Sequence, residues 1–578
     1  MSLLTQTYVV DFECNNHEDD CRVWLWDSCD IYKFRHTYAY DIESFFDWLL
    51  SSNAQRVLYL NLGYDGAFLI DYLERSGSWL YRTKSKCHPQ NHTYDIVKSR
   101  GGDLYGVTLY LDEGIQFNHK TGKFKCSRRR RIDVWDSNKV IPLSVAEIAE
   151  AFGTVFDKGE IDYNLRRPEG YIATDIELDY IIRDTSIVAE AIRIMYDMGL
   201  THMTIGSDAI NYFKENLPSQ FKLDKLFPSS LWKNPDIDKF IRRAYRGGFI
   251  WLNELYKEKE TGEGLVLDVN SMYSYQLKNM QLPYGEPEWF DGEYSYDSNM
   301  PLYIVEISIS AKLKEGYIPC ISSKGSYLHM DNDLVSECED LNLVVTSIDL
   351  ELILKSYDIT SIAYYGGYKF KVTSGIFDNY INHWMGIKEN SVGGRRLVAK
   401  LMLNNLIGKF GTNPNSVSRV PCMGSDGVIS YKNSDEKSSL HPIYLPIPVF
   451  VNAAARKLDI ETALMCGENA MYCDTDSVHI NGSSIPDGIL ISDSKLGAWK
   501  VESKFCRGYY ISPKRYVHEI QEEDGTLSID VKCSGLSNKC KSQVTFENFR
   551  VGTKYSGKLS SIRVKGGVVL KECDFCIL

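Results

Sequence analysis

The chain has no G-x-x-x-x-G-K-[ST] segment, so any nucleotide it handles is held without a P-loop. No second C-x-x-C joins Cys573 and Cys576 to complete a zinc site. The 15 cysteines are otherwise mostly single, a pattern of reduced thiols in a cytosolic setting. Long apolar runs are also missing. The longest, around Ile443 to Ala455, contains two prolines and is too short to cross a bilayer, so no membrane insertion is expected. Asp11 and Glu13 interrupt the first apolar stretch, and no signal segment is expected there. There is no internal repeat and no long low-complexity linker. An overall basic excess is absent too: the net charge is −12, which by itself argues against a nucleic-acid binder.

Local charge softens that argument. Lys123 to Arg131 carries two Lys and four consecutive Arg, and from Val531 onward nine Lys and Arg face three Asp and Glu. A channel that gathers carboxylates for metals is itself acidic, while basic residues elsewhere can hold phosphates. Aromatics make up 12 % of the chain, with 38 Tyr that can pack as core or stack on bases. At 578 residues the chain is too long for one core, and about two to four domains are expected.

Tyr472-Cys473-Asp474-Thr475-Asp476-Ser477 reads as strand, tight turn, strand with two acids at the tip. Crowded carboxylates repel and gain stability from a divalent cation, although an isolated D-x-D also suits a surface Asx turn. A third acid, Asp268, ends the strand Gly264 to Val269 and precedes a turn with Tyr273. On the helix predicted over Leu397 to Lys409, the positions Arg396, Lys400, Asn404 and Gly408 share one face. They form a phosphate-gripping stripe or a solvated basic face. Lys514 and Tyr516 are expected on one face of a strand, where a cation and an aromatic suit a primer backbone.

The N-terminal part has its own acids. Asp11 and Glu13 alternate on one strand, Asp65 follows a second strand, and Asp184 lies four residues after Tyr180 on a helix predicted over Leu178 to Met195. Four acids from three elements can hold two cations, a recurrent solution for phosphodiester cleavage, with Tyr180 orienting the water. Gly199 to Pro218 reads as a boundary segment. The stretch from about 280 to 375 reads as short strands, Gly411 to Tyr444 as loop, and Tyr245-Arg246-Gly247-Gly248 as a flexible basic loop.

In this order the pieces resemble the protein-primed family B DNA polymerases of small tailed bacteriophages, the phi twenty-nine type, over nearly the whole length. Asp11-Phe12-Glu13, Asn61-Leu62-Gly63-Tyr64-Asp65 and Tyr180 to Asp184 resemble the three exonuclease motifs, with Lys158 as the exonuclease lysine and Ser137 as a single-strand ligand. Asp268 to Tyr273, Lys400 to Gly408 and Tyr472 to Ser477 are similar to polymerase motifs A, B and C. Lys514-Arg515-Tyr516 resembles the primer-strand motif, and Tyr245 to Gly248 the loop that coordinates synthesis with proofreading.

The resemblance implies an α/β and α+β multidomain fold: an RNase H-like exonuclease domain followed by a right-hand polymerase with palm, fingers and thumb and two inserted terminal-protein regions. The implied limits are exonuclease 1–204, palm 205–279 and 445–532, inserted regions 280–375 and 412–444, fingers 376–411 and thumb 533–578. It implies a DNA-directed DNA polymerase with 3′→5′ exonuclease, initiating on a terminal protein and displacing strands, with two Mg²⁺ or Mn²⁺ per site. Asp268, Asp476 and the Val269 carbonyl would bind the polymerase metals, with Asp474 beside them. Asp11, Glu13 and Asp184 would bind those of the exonuclease, with Asp65 also catalytic. Lys388, Lys400 and Asn404 would hold the triphosphate, and Tyr273 would exclude a 2′-hydroxyl. Asn61, Tyr64, Ser137, Tyr245, Gly247, Gly248, Arg456, Lys514 and Tyr516 would touch DNA. A monomer or a heterodimer with terminal protein in the cytoplasm of an infected host is implied.

The sequence departs from the family at Ile407, Asn405, Ser274, Leu60, Cys14, Asn138 and Asn452, which spares the metal acids and touches fidelity and single-strand handling. The competing readings are an exonuclease with an impaired polymerase half and a non-catalytic replication scaffold.

Overall fold

The structure is a computed structural model describing residues 6–82, 92–99, 102–163, 165–323, 334–414, 417–437 and 441–578. Parts of the two expected inserted regions, residues 324–333, 415–416 and 438–440, lie outside the described residues.

Alternation along the first strand, Thr7–Cys14, builds a three-layer unit. Val9 faces a core with Ile187 and Ile192 of the helix Asp175–Asp197. Val10 faces the opposite core, with Phe45 and Leu69 of the helices Ile42–Ser51 and Leu62–Arg75. A sheet buried on both faces needs such apolar runs. Eight strands lie in the order His36–Ala39, Val23–Asp30, Thr7–Cys14, Arg56–Tyr59, Arg128–Asp136, Leu104–Glu113, His92–Lys98 and Trp79–Tyr81. The helix Asp175–Asp197 starts with a capping box between Thr174 and Glu177, so it is longer than its apolar periodicity predicts.

A second, antiparallel sheet orders Ile250–Leu252, Ala470–Asp474, Ser477–Asn481, Gly264–Val269 and Trp499–Phe505. Behind it lie the helices Met272–Asn279 and Pro446–Cys466. The two prolines of the longest apolar run, Pro446 and Pro448, sit in the first turn of the latter helix, where missing N–H groups cost nothing. Two further helices, Asp378–Asn390 and Gly393–Phe410, pack against each other and against Ile205–Glu215.

Several expectations need correction. Gly199 to Pro218 is not mere boundary, because Thr204 caps the helix Ile205–Glu215. The stretch from 280 to 375 carries long strands, including Leu302–Leu313 and Tyr357–Thr373, in a four-stranded sheet. Residues Val417–Met423 and Ile429–Lys437 form a hairpin rather than loop. Lys514 lies in a turn at φ 63°, so it does not alternate with Tyr516 on a strand. Among the described residues, no helix is long and apolar enough to cross a membrane.

Candidate active sites

The second sheet carries its acids at one end. Register sets Asp268 opposite Ser477 on one side and Lys500 on the other, and pairs Asp474 with Ser477 across the turn. The Val269 N–H donates to the Asp476 carbonyl at 2.9 Å, tying the strand of Asp268 to the hairpin. Thr475 holds the turn at φ 66°, a left-handed geometry that reverses the chain within two residues.

The three carboxylates differ in their partners. Asp474 accepts from the Tyr472 hydroxyl at 3.1 Å, from the Thr475 hydroxyl at 3.1 Å and from the Lys514 ammonium. Asp268 pairs with Lys500 at 3.2 Å. The Asp476 carboxylate makes no hydrogen bond or ion pair among the described residues. Burial first, then Asp268, Asp474 and Glu502, push its carboxyl up to about 6.

Cations face these acids from the helices of residues 378–410. Lys388 donates to the Ser271 hydroxyl at 2.8 Å, and Arg396 to the Lys388 carbonyl at 2.7 Å. Burial and then Arg396, Lys400 and Lys500 lower the affinity of Lys388 for its proton, as expected where four cations converge. The helix Gly393–Phe410 buries Val398, Met402, Leu403 and Leu406 and leaves Arg396, Lys400, Asn404 and Gly408 exposed on the predicted stripe. Tyr273 is half-buried on the helix after Asp268.

The loop Tyr245 to Gly248 is clamped against this site. Arg456 donates to the carbonyls of Arg246 and Gly247 at 3.2 and 3.0 Å and to Asp349 at 2.7 Å, while Asn452 donates to the Arg246 carbonyl. Arg456 is buried, so any effect on DNA passes through the loop it holds. Tyr516 is also buried, packed at tilted angles in a ring cluster with Tyr472 and His518.

The other acids meet in the N-terminal unit. Asp11, Glu13, Asp65, Lys158, Tyr180 and Asp184 line one cavity of about 1330 Å³, together with Asn61 and Tyr64. Lys158 donates to the Tyr180 hydroxyl at 2.9 Å and pairs with Asp184, whose other oxygen is buried with no partner among the described residues. Burial, then Asp184, push Asp11 up to about 7. Glu13 and Asp65 are raised well above the usual carboxylate range, with burial as the largest cause and Asp11 next. Ser137 lies beside Asn61 in an adjoining cleft of about 530 Å³, but its hydroxyl reaches the Leu60 carbonyl at 3.4 Å.

Among the described residues no ready-made cluster of three metal-ligating side chains exists. Lysines stand against three of the acids: Lys158 on Asp184, Lys500 on Asp268 and Lys514 on Asp474. In the large cavity, an all-carboxylate donor set with raised proton affinity and an orphaned Asp184 oxygen fits hard divalent cations. Sequence reading missed Lys500, Glu502 and Asp459 near Asp268, Asp474 and Asp476. It also missed Tyr163, whose hydroxyl meets that of Tyr180, as well as Lys98, Tyr431 and Arg563 on the cavity wall. Lys500 is reachable only through sheet register. The signal for Asp459 was an acid inside an apolar helix.

The family model for DNA polymerase type B, organellar and viral, matches residues 48–493. The DNA polymerase of Bacillus phage phi29 is 38 % identical over 99 % of this chain and 98 % of its own length. That of Streptococcus phage Cp-1 is 30 % identical over 99 % of both. A solved structure of phi29 DNA polymerase with primer-template DNA and incoming nucleotide substrates superposes with a TM-score of 0.90 at 38 % identity, covering 99 % of this chain and 100 % of that one. Family B enzymes use divalent metal ions, and the architecture is an exonuclease followed by palm, fingers and thumb. The chain belongs to the organellar and viral type B DNA polymerases and is a DNA-directed DNA polymerase with an exonuclease.

Proposed function

We propose that the hairpin acids and the acids of the large cavity are the two reaction centres, each taking two Mg²⁺ or Mn²⁺ ions. The carrying observation is that Asp268, Asp474 and Asp476 converge at one sheet end directly opposite Lys388, Arg396 and Lys400. Bound there, the metals would supply positive charge for in-line phosphoryl transfer. Asp476, with no competing partner, is the direct ligand together with Asp268 and the Val269 carbonyl, and Asp474 supports them. Lys388, Lys400 and Asn404 hold the triphosphate, and Lys400 donates a proton to the leaving pyrophosphate. Tyr273 stands under the sugar and excludes a 2′-hydroxyl. Tyr245, Gly247, Gly248 and Lys514 guide the primer strand.

In the exonuclease, Asp11, Glu13 and Asp184 hold the metals and Asp65 assists them. Lys158 and Tyr180 orient the attacking water, while Asn61, Tyr64 and Ser137 hold the single strand. The domain limits are those set by the sequence motifs, and initiation would take place on a terminal-protein hydroxyl. The enzyme would act alone or as a heterodimer with that protein in the host cytoplasm.

Primer extension and single-strand degradation with Mg²⁺ test the assignment. Asp476→Ala is expected to abolish extension and spare degradation, and Asp11→Ala to do the reverse. Extension that persists in Asp476→Ala refutes the polymerase site. Unchanged extension in Lys400→Ala removes the lysine from its role.

A further inference from the structure

The helix Pro446–Cys466 crosses behind the catalytic hairpin. Its Ala455, Ile460 and Ala463 share a core with Val269, Cys473 and Val478. One residue breaks that apolar face. Asp459 is 0 % exposed, and neither of its carboxylate oxygens has a hydrogen-bond partner among the described residues. Arg456, one turn earlier, is committed to Asp349 and to two loop carbonyls. The charged groups acting on Asp459 are Asp476 first, then Asp474, Arg456 and Asp268. Asp459 is also the foremost charge acting on Tyr273. The orphan acid therefore lies within electrostatic reach of the polymerase acids, on the helix packed behind their sheet. A buried carboxyl left without a partner is costly, and such groups mark places where a ligand supplies what the protein does not.

We propose that Asp459 is a fourth acid of the polymerase metal site, acting from behind Asp268 and Asp476 by accepting hydrogen bonds from cation-bound water. This rests on the reading of Asp268 and Asp476 as metal ligands. Small divalent cations keep several of their waters, and those waters need acceptors. A carboxyl group with both oxygens uncommitted is such an acceptor, and it takes no coordination position. Asp459 is thus a positioning residue, and its removal is expected to weaken metal binding more than turnover.

The test is Mn²⁺ binding by electron paramagnetic resonance on the full chain carrying Asp11→Ala and Asp184→Ala, which silences the exonuclease acids. Adding Asp459→Asn is expected to weaken Mn²⁺ binding about tenfold, with the extension rate at saturating Mn²⁺ kept within about twofold. Unchanged Mn²⁺ affinity in Asp459→Asn, alongside loss in Asp476→Ala, overturns the role of Asp459 and leaves the site reading intact. Unchanged affinity in Asp476→Ala overturns the site reading itself. Loss of extension that saturating Mn²⁺ does not restore, in a variant that still melts cooperatively, shows a structural role and overturns the proposal. If the Asn variant does not melt cooperatively, Asp459→Ser is judged by the same criteria.

Discussion

At the residue scale, acids that repel one another are held together by burial and by lysines. Asp184 is buried and paired with Lys158, whereas Asp11 has no such pair and holds its proton up to about 7. The consequence for stability has a definite sign. In the unfolded chain Asp11 loses its proton near 3.8, and in the folded chain near 7. Between those values the folded state binds more protons, so stability falls as pH rises through the window. In EDTA, the melting temperature of Asp11→Asn is expected to rise relative to wild type between about pH 4.5 and about pH 7.5, because Asn has no proton to lose. Mg²⁺ is expected to shrink that difference by stabilising the ionised acids of the wild type. A difference that stays flat with pH in EDTA would refute the account.

At the element scale, the loop Tyr245 to Gly248 and the hairpin of Asp474 and Asp476 behave as one unit. The Thr475 N–H donates to the Phe249 carbonyl at 2.7 Å. A Cβ on Gly248 would lie 2.8 Å from Thr475 Cγ2 and 3.0 Å from its Cα. That contact leaves no room for a side chain, while Arg456 and Asn452 hold the loop from the other side. Gly248→Ala must therefore displace the turn that carries the acids. Extension is expected to fall about tenfold to a hundredfold, since small misplacements of reacting groups cost that much. Single-strand degradation is expected to stay at the wild-type level, and equal loss of both activities would show global damage instead.

The same elements show what the sequence could and could not disclose. The strand Gly264–Val269 was legible to the residue, because an apolar run ended on an acid and a turn. The stripe on Gly393–Phe410 was legible from helical spacing. The helix Ile205–Glu215 was not, because Gly206, Ser207 and Asp208 look like turn residues. Their roles are tertiary: a Cβ on Gly206 would meet Lys409 at 2.7 Å, and Asp208 accepts from the Thr201 and His202 N–H groups. The hairpin of residues 417–437 hid behind its polar strands and its Gly-Ser-Asp-Gly turn. Lys514 was placed on a strand by alternation, yet its N–H is bound by the Tyr472 hydroxyl at 2.9 Å in a left-handed turn.

At the scale of the whole molecule, the C-terminal hairpin Lys554–Val564 and Gly567–Cys576 reaches across to the exonuclease. The Asn16 side chain donates to the Leu570 carbonyl at 2.8 Å and accepts from the Leu570 N–H at 2.5 Å, pairing as a strand would. The Gly566 N–H donates to Asp71 at 3.2 Å. The hairpin of residues 417–437 arrives beside it. Tyr431 lies within 4.3 Å of the Lys98 ammonium and 4.7 Å of the Arg563 guanidinium, and Arg75 donates to the Gly427 carbonyl at 2.9 Å. The N-terminal unit, the hairpin of residues 417–437 and the C-terminal hairpin therefore close on one another around the large cavity. The closure rests on these hydrogen bonds, each worth about 0.5–1.5 kcal/mol net, and on Ile429, Val568 and Val569, which are buried in one core with Val10 and Phe68. Removing the most strand-like contact should bias it open. Asn16→Ala is expected to shorten the product made per binding event, measured with an excess of trap DNA. Single-nucleotide addition should keep its wild-type rate, because Asn16 bonds Leu570 and lies away from Asp268, Asp474 and Asp476 in the fold. Unchanged product lengths would show that the closure does not retain DNA, and a parallel loss of single-nucleotide addition would show that the contact supports the fold instead.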